Sequence, residues 1–175
     1  MLLRTAVLIL LISPVHAAWP AEMDEFKIKA AMLYNFTKYV EWPPETGAAG
    51  KQLNVCITGN SPIKRHIDQL QGKQANGRTL AVRFVTSPDE ISGCNMLFID
   101  SSEYRRLSAF LQQGSRKPML TVSDISQFAS LGGMIGFFEQ DDKIRFEINQ
   151  DATLQAGITI SSKLLKLARL VKGGK

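Results

Sequence analysis

The sequence predicts an α/β domain: a mainly parallel sheet flanked by helices, with an antiparallel edge hairpin and a long C-terminal helix. Short apolar runs alternate with helical patterns between residues 53 and 129, the rhythm of β-α-β units. Met96–Ile99 is apolar without alternation, as a strand covered on both faces should be. Lys143–Asn149 does alternate, with Ile144, Phe146 and Ile148 facing in and Lys143, Arg145, Glu147 and Asn149 facing out. Together with Met134–Phe138 it reads as a hairpin with one solvated face. The chain has 175 residues, 45% hydrophobic and 21% charged, which excludes a disordered or collagen-like polymer and suits one core.

The elements follow in order. Arg4, the apolar stretch Thr5–Ile12, Pro14 and the small-x-small site Val15-His16-Ala17 read as a secretory signal peptide over 1–17. The folded domain is then 18–175. No apolar run approaches the ~18 residues of a membrane span. Cleavage removes Arg4 and His16, so the net charge falls from +5 to +4 and His66 is the remaining histidine. Met23–Trp42 has a helical stripe of Phe26, Ala30, Leu33, Thr37 and Val40, widened by Ile28, Met32, Phe36 and Tyr39. Asp24 and Glu25 suit its first turn, and Pro43-Pro44 ends it. A loop follows at 45–50.

Leu53–Thr58 is a first strand, and Ser61-Pro62 starts a helix to about Gln71. Leu80–Val85 and Met96–Ile99 are the next strands. Ser102–Gln113 is a helix stopped by Gly114, Met119–Val122 a fourth strand, and Asp124–Ala129 a short helix. After the hairpin, Ala152–Val171 reads as a long helix with an inner stripe of Leu154, Ile158, Ser161, Leu165 and Ala168. Gly157 in its interior costs about 1 kcal/mol relative to alanine.

The chemistry-bearing residues are few. One mature histidine and two cysteines, far apart, do not make the four-ligand set of a structural zinc site. A nucleophile would have to use His66 as its base, and His66 lies in a predicted helix with no nucleophile placed beside it. The strand ends carry Thr58-Gly59-Asn60-Ser61, Asp100-Ser101-Ser102 and Ser123-Asp124. Such residues can bind a small anion, but helix capping wants the same types and is the plainer reading. Asp100 stands where a receiver domain has its phospho-acceptor. The partner carboxylates that would hold Mg²⁺ after the first strand are replaced by Thr58-Gly59-Asn60, so that reading fails. Neither GxGxxG nor a P-loop is present, so no nucleotide cofactor is expected.

In an oxidising compartment Cys56 and Cys94 most simply pair, since their strands are neighbours in a 2-1-3 order; two buried thiols are the alternative. Lys163, Lys166, Arg169 and Lys172 recur every third residue and sweep a broad arc, as on a solvated helix face. Outside the cytoplasm they do not point to nucleic acid; anionic lipid or an acidic partner fits their charge better.

The run Ala30-Ala31-Met32-Leu33-Tyr34-Asn35-Phe36-Thr37-Lys38-Tyr39-Val40-Glu41-Trp42-Pro43 resembles the opening helix of the YfiR-like (HmsC-like) family. Leu120–Asp124, Gly132–Ile135, Arg145–Asn149 and Ile160–Ala168 resemble its later signatures. The resemblance runs from about Phe26 to Val171. It implies a periplasmic, non-catalytic regulator that represses an inner-membrane diguanylate cyclase by binding the enzyme's periplasmic domain, limiting cyclic di-GMP and biofilm. It also implies an outer-membrane lipoprotein as a second partner, and a homodimer. Cys56 and Cys94 match the family's more general disulfide, while a second pair found in some members is missing. Tyr39 and Trp42, near the end of the opening helix, are candidate partner-binding residues, because aromatics often anchor interfaces. Phe26, Leu33 and Phe36 more simply pack on the sheet. The competing function is a periplasmic small-ligand binding or sensor domain using the strand ends. A partner-binding protein should show an exposed apolar patch, and a ligand binder a deep pocket.

Overall fold

The structure, a computed structural model, describes residues 21–43 and 51–173. The expected signal peptide at 1–17 and the loop at 45–50 lie outside the described residues.

Helix α1 (Ala21–Tyr39) runs directly into strand β1 (Val40–Glu41). Then come β2 (Gln52–Thr58), α2 (Lys64–Ile67), β3 (Gln74–Ala75), β4 (Arg78–Phe84) and β5 (Met96–Ile99). A 3-10 turn at Ser101–Arg106 leads into α3 (Leu107–Gly114) and β6 (Leu120–Ser123). The chain ends with β7 (Ile135–Gln140), β8 (Lys143–Asn149), α4 (Gln150–Gln155), β9 (Thr159–Ile160), α5 (Ser162–Leu165) and β10 (Arg169–Val171).

The main sheet has eight strands in the order β10-β8-β7-β6-β5-β2-β4-β3. From β4 through β2, β5 and β6 to β7 all pairs are parallel, so the expected α/β class holds. Residues alternate between its faces, and the apolar core divides accordingly. Leu53, Val55, Ile57, Met96, Phe98, Leu120 and Val122 pack under α1, through Leu33 and Phe36, under Val40 of β1, and under Ile63, Ile67 and Leu164. Cys56, Leu97 and Ile99 face α3 and its neighbours, through Leu107, Phe110, Ile125 and Phe128. Phe36 lies at the centre of the first layer, with ring centroids 5.9 Å from Phe137 and 5.2 Å from Phe146.

The carboxyl-terminal region corrects the sequence reading. Ala152–Val171 is not one long helix. Gly157 adopts a φ of +68°, which ends α4, and the chain then forms β9, α5 and β10. Strand β9 pairs antiparallel with β1, Val40 opposite Ile160. Strand β10 adds in parallel to the outer edge of β8, so the β7-β8 hairpin lies one strand inside the edge. The hairpin itself is as expected, with Asp141 and Asp142 at φ +52° and +53° forming a two-residue turn of the kind that suits strand twist. Glu147 and Asn149, expected to face solvent, are buried beside β10 and the segment after it. The expected helix at Asp124–Ala129 is a series of turns, interrupted at Gln127 with φ +59°.

Candidate functional site

The carboxyl ends of β2, β5 and β6 lie side by side, so the three expected polar clusters meet. They satisfy one another. Asp100 accepts from the Ser102 amide (3.0 Å) and hydroxyl (2.5 Å), and the Ser102 oxygen also accepts from the Asn60 amide (3.2 Å). Ser123 donates to the Ile99 carbonyl at 2.6 Å and accepts from the Ile125 amide at 2.9 Å. Asp124 accepts from the Ser101 amide at 2.8 Å. Gly59 is required here: its φ is +85°, and a Cβ on it would sit 2.5 Å from the Asp100 Cβ. This is capping and loop locking, the plainer of the two readings. The Thr58 hydroxyl is buried without a partner among the described residues.

Lys29 completes the cluster, and the sequence reading missed it. Its side chain lies on the buried side of α1, paired with Glu25 one turn earlier and with Asp124 at 3.0 Å. Burial lowers the ammonium's pKa, but the bonds to Glu25 and Asp124 outweigh it, and the net value lies above that of an ordinary lysine. Burial lifts the Asp124 carboxyl above the usual carboxylate range; Lys29 opposes this and the neighbouring Asp100 adds to it. The available signal was a lysine one position before Ala30 in the apolar stripe, four residues after a glutamate.

Beside Asp124 opens a groove of about 750 Å³, bordered by Ser126, Phe137, Phe138, Glu139, Glu147 and Arg169. Arg169 stacks on Phe138 at 3.8 Å and binds Glu147 through Nε (3.2 Å) and a terminal nitrogen. The helix assigned from sequence at 152–171 hid this pair, because Arg169 reaches Glu147 through β10.

The interface candidates are placed differently from each other. Tyr39 is 39% exposed at the end of α1. Trp42 is half-buried: its indole NH donates to the Asn95 carbonyl at 2.9 Å, and the Arg78 guanidinium lies 6.0 Å from its ring. Phe26 packs partly buried against the core, and Leu33 and Phe36 are buried in it. Cys56 and Cys94 form a disulfide, with Cα atoms 5.9 Å apart, joining β2 to the loop before β5. His66 is half-buried on α2, and no described side chain hydrogen-bonds it. No group of three or more His, Cys, Asp or Glu among the described residues is arranged to hold a metal.

A family model described as YfiR/HmsC-like matches residues 26–169, from α1 to the first residue of β10. The chain belongs to the YfiR/HmsC-like family. This is a family of periplasmic, regulatory, non-catalytic proteins that act in cyclic di-GMP signalling through periplasmic partner proteins. Among solved structures, the chain is similar to the crystal structure of the ABC domain in complex with L-Trp from Streptococcus pneumonia. The two are 12% identical with a TM-score of 0.50, over 68% of this chain and 55% of that one. The chain therefore spans about half the length of that structure, and the likeness is one of fold.

Proposed function

We propose that this YfiR/HmsC-like protein represses an inner-membrane diguanylate cyclase by binding the enzyme's periplasmic domain, thereby limiting cyclic di-GMP and biofilm. The family match over 26–169 carries this reading. The strand ends support it, since Asp100, Ser102, Ser123 and Asp124 spend their polar groups on holding loops. Tyr39 is the better of the two interface candidates, because its ring is available at the surface while the Trp42 indole is engaged with Asn95. An outer-membrane lipoprotein that sequesters the repressor, and a homodimer, complete the proposed set of partners.

The test is deletion of the gene, followed by measurement of cyclic di-GMP and crosslinking to membranes. Deletion should raise cyclic di-GMP, wild type should restore it, and Tyr39→Ala at equal protein level should restore it poorly. Unchanged cyclic di-GMP with no membrane partner recovered defeats the repressor reading. Full restoration by Tyr39→Ala removes that residue from the surface. The second reading, a small-ligand sensor, is favoured by the groove beside Asp124, where Phe138 and the Arg169–Glu147 pair offer a flat ring and both charges. A ligand that raises the melting temperature of wild type but not of Arg169→Ala would support it.

A further inference from the structure

We propose that the end of the molecule where the parallel strands begin is a cationic face that docks on an anionic phospholipid bilayer. Strands β2, β4, β5 and β6 run the same way, so their starts share one end. Lys51 precedes β2, Arg78 opens β4 and Lys117 precedes β6. Two further cations are brought there by α1 and the β3-β4 turn. The Asn76 side-chain amide donates to the carbonyls of Thr37 (3.3 Å) and Val40 (3.5 Å), fixing the end of α1 against that turn. The ammonium groups of Lys38 and Lys73 both lie over the Tyr34 ring, at 3.9 and 4.9 Å from its centroid. The Tyr34 hydroxyl donates to the Gln74 carbonyl at 3.1 Å.

These cations are not neutralised nearby. Lys38, Lys51, Lys73 and Lys117 are exposed and Arg78 is half-buried. None of them forms an ion pair with a described carboxylate; the ion pairs among the described residues involve Lys29, Arg106 and Arg169. Among the described residues, the exposed carboxylates at this end include Glu41 and Asp151, which follows the end of β8, and the five cations outnumber these two. The opposite end holds Asp100 and Asp124, and the Asp141-Asp142 turn extends beyond it. A negative plane therefore attracts the end that carries these unpaired cations.

A bilayer fits this face better than an acidic polypeptide does. The cations come from the end of α1, from beside β3 and from the starts of β2, β4 and β6, so they spread across the sheet instead of lining one cleft. A membrane offers a continuous plane of phosphates within a Debye length of all of them. Tyr39 and Trp42 lie at the same end, and these ring types prefer the headgroup region. The Lys163–Lys172 pattern noted in the sequence does not form one face: Lys163 lies in α5, Lys166 caps it, Arg169 lies in β10, and Lys172 alone, past the end of β10, lies toward this end.

The experiment is co-sedimentation of the mature chain with two kinds of vesicle. One contains equal parts of phosphatidylglycerol and phosphatidylcholine, the other phosphatidylcholine alone. The protein should bind the first, release from it at high salt, and ignore the second. Each cation removed should lower partitioning about fivefold. The combined variant Lys38→Glu, Lys73→Glu, Lys117→Glu should therefore lose on the order of a hundredfold or more. A control, Arg65→Glu, Arg105→Glu, Lys143→Glu, changes exposed residues outside this end by the same net charge. It should bind far better than the first variant, with circular dichroism confirming that both are folded. Equal loss in both variants would reduce the effect to net charge and overturn the proposal. Absence of vesicle binding overturns it as well, and saturable binding of poly-glutamate in that case would assign the face to an acidic polypeptide.

Discussion

Replacing Lys29 with methionine would leave the buried Asp124 carboxylate beside Asp100 without its counter-charge. Breaking a buried pair in this way costs about 3–5 kcal/mol, so the urea midpoint of Lys29→Met should fall sharply at neutral pH. The sign of the pH effect follows from the raised lysine pKa. The folded protein holds this proton more tightly than the unfolded chain, whose lysine titrates near 10.5. The stabilisation is whole below that pH and is lost as pH rises through the folded value. Wild type should lose this share of stability in the alkaline range, and Lys29→Met should not. Gly59→Ala is the second test at this scale. It forces a β-carbon onto the Asp100 side chain at a backbone φ of +85°, and should cost about 2–3 kcal/mol by denaturant titration. An unchanged midpoint would mean that the strand-end loops can separate freely.

The Cys56–Cys94 bond ties β2 to the loop entering β5 across a sequence separation of 38. In the chain-entropy account Cys56→Ser should lower stability by up to about 4 kcal/mol, and reductant should lower the wild-type melting temperature in the same direction. The elements that sequence reading found were those whose local pattern and tertiary role agree. Met96–Ile99 is apolar throughout because α1 covers one face and α3 the other, and it is a strand with those bounds. The hairpin was legible because Ile144, Phe146 and Ile148 alternate with polar residues, although β7 runs on to Gln140 and shortens the connection expected at 139–142 to two residues. The last region was not, because its spacing fits a helix equally well and the deciding facts are non-local. Gly157 takes a left-handed conformation and β8 offers an open edge to β10. Once β10 pairs there, Leu154 is left 62% exposed and Glu147 is buried against Arg169, the reverse of what alternation predicts. The strand-end cluster was legible as capping from its Ser, Asn and Asp residues; Lys29 was not, since a lysine beside an apolar stripe ordinarily faces water.

For the whole molecule, two apolar layers share one sheet, and strands of that sheet contribute to both. Unfolding should therefore be a single transition, with tryptophan fluorescence and far-ultraviolet circular dichroism giving coincident urea curves. Separate transitions would mean that α1 leaves the sheet on its own. The pairing of β1 with β9 bears on how the chain reaches this state. Val40 meets Ile160, and the Ser161 amide donates to the Tyr39 carbonyl at 2.9 Å, so the end of the first helix is clasped by residues far later in the sequence. With a secretory signal peptide at 1–17, as the sequence leads one to expect, the chain would cross the inner membrane unfolded, amino end leading. Leu33, Phe36 and Val40 then emerge early, and Phe146, Ile148 and Leu164, which share their core, arrive late. The greasy side of the first helix would then wait uncovered until those later residues arrive. Such non-local closure is slow and exposes the intermediate to aggregation. Export of this protein should therefore lean on periplasmic holding chaperones in proportion to how long its tail is delayed.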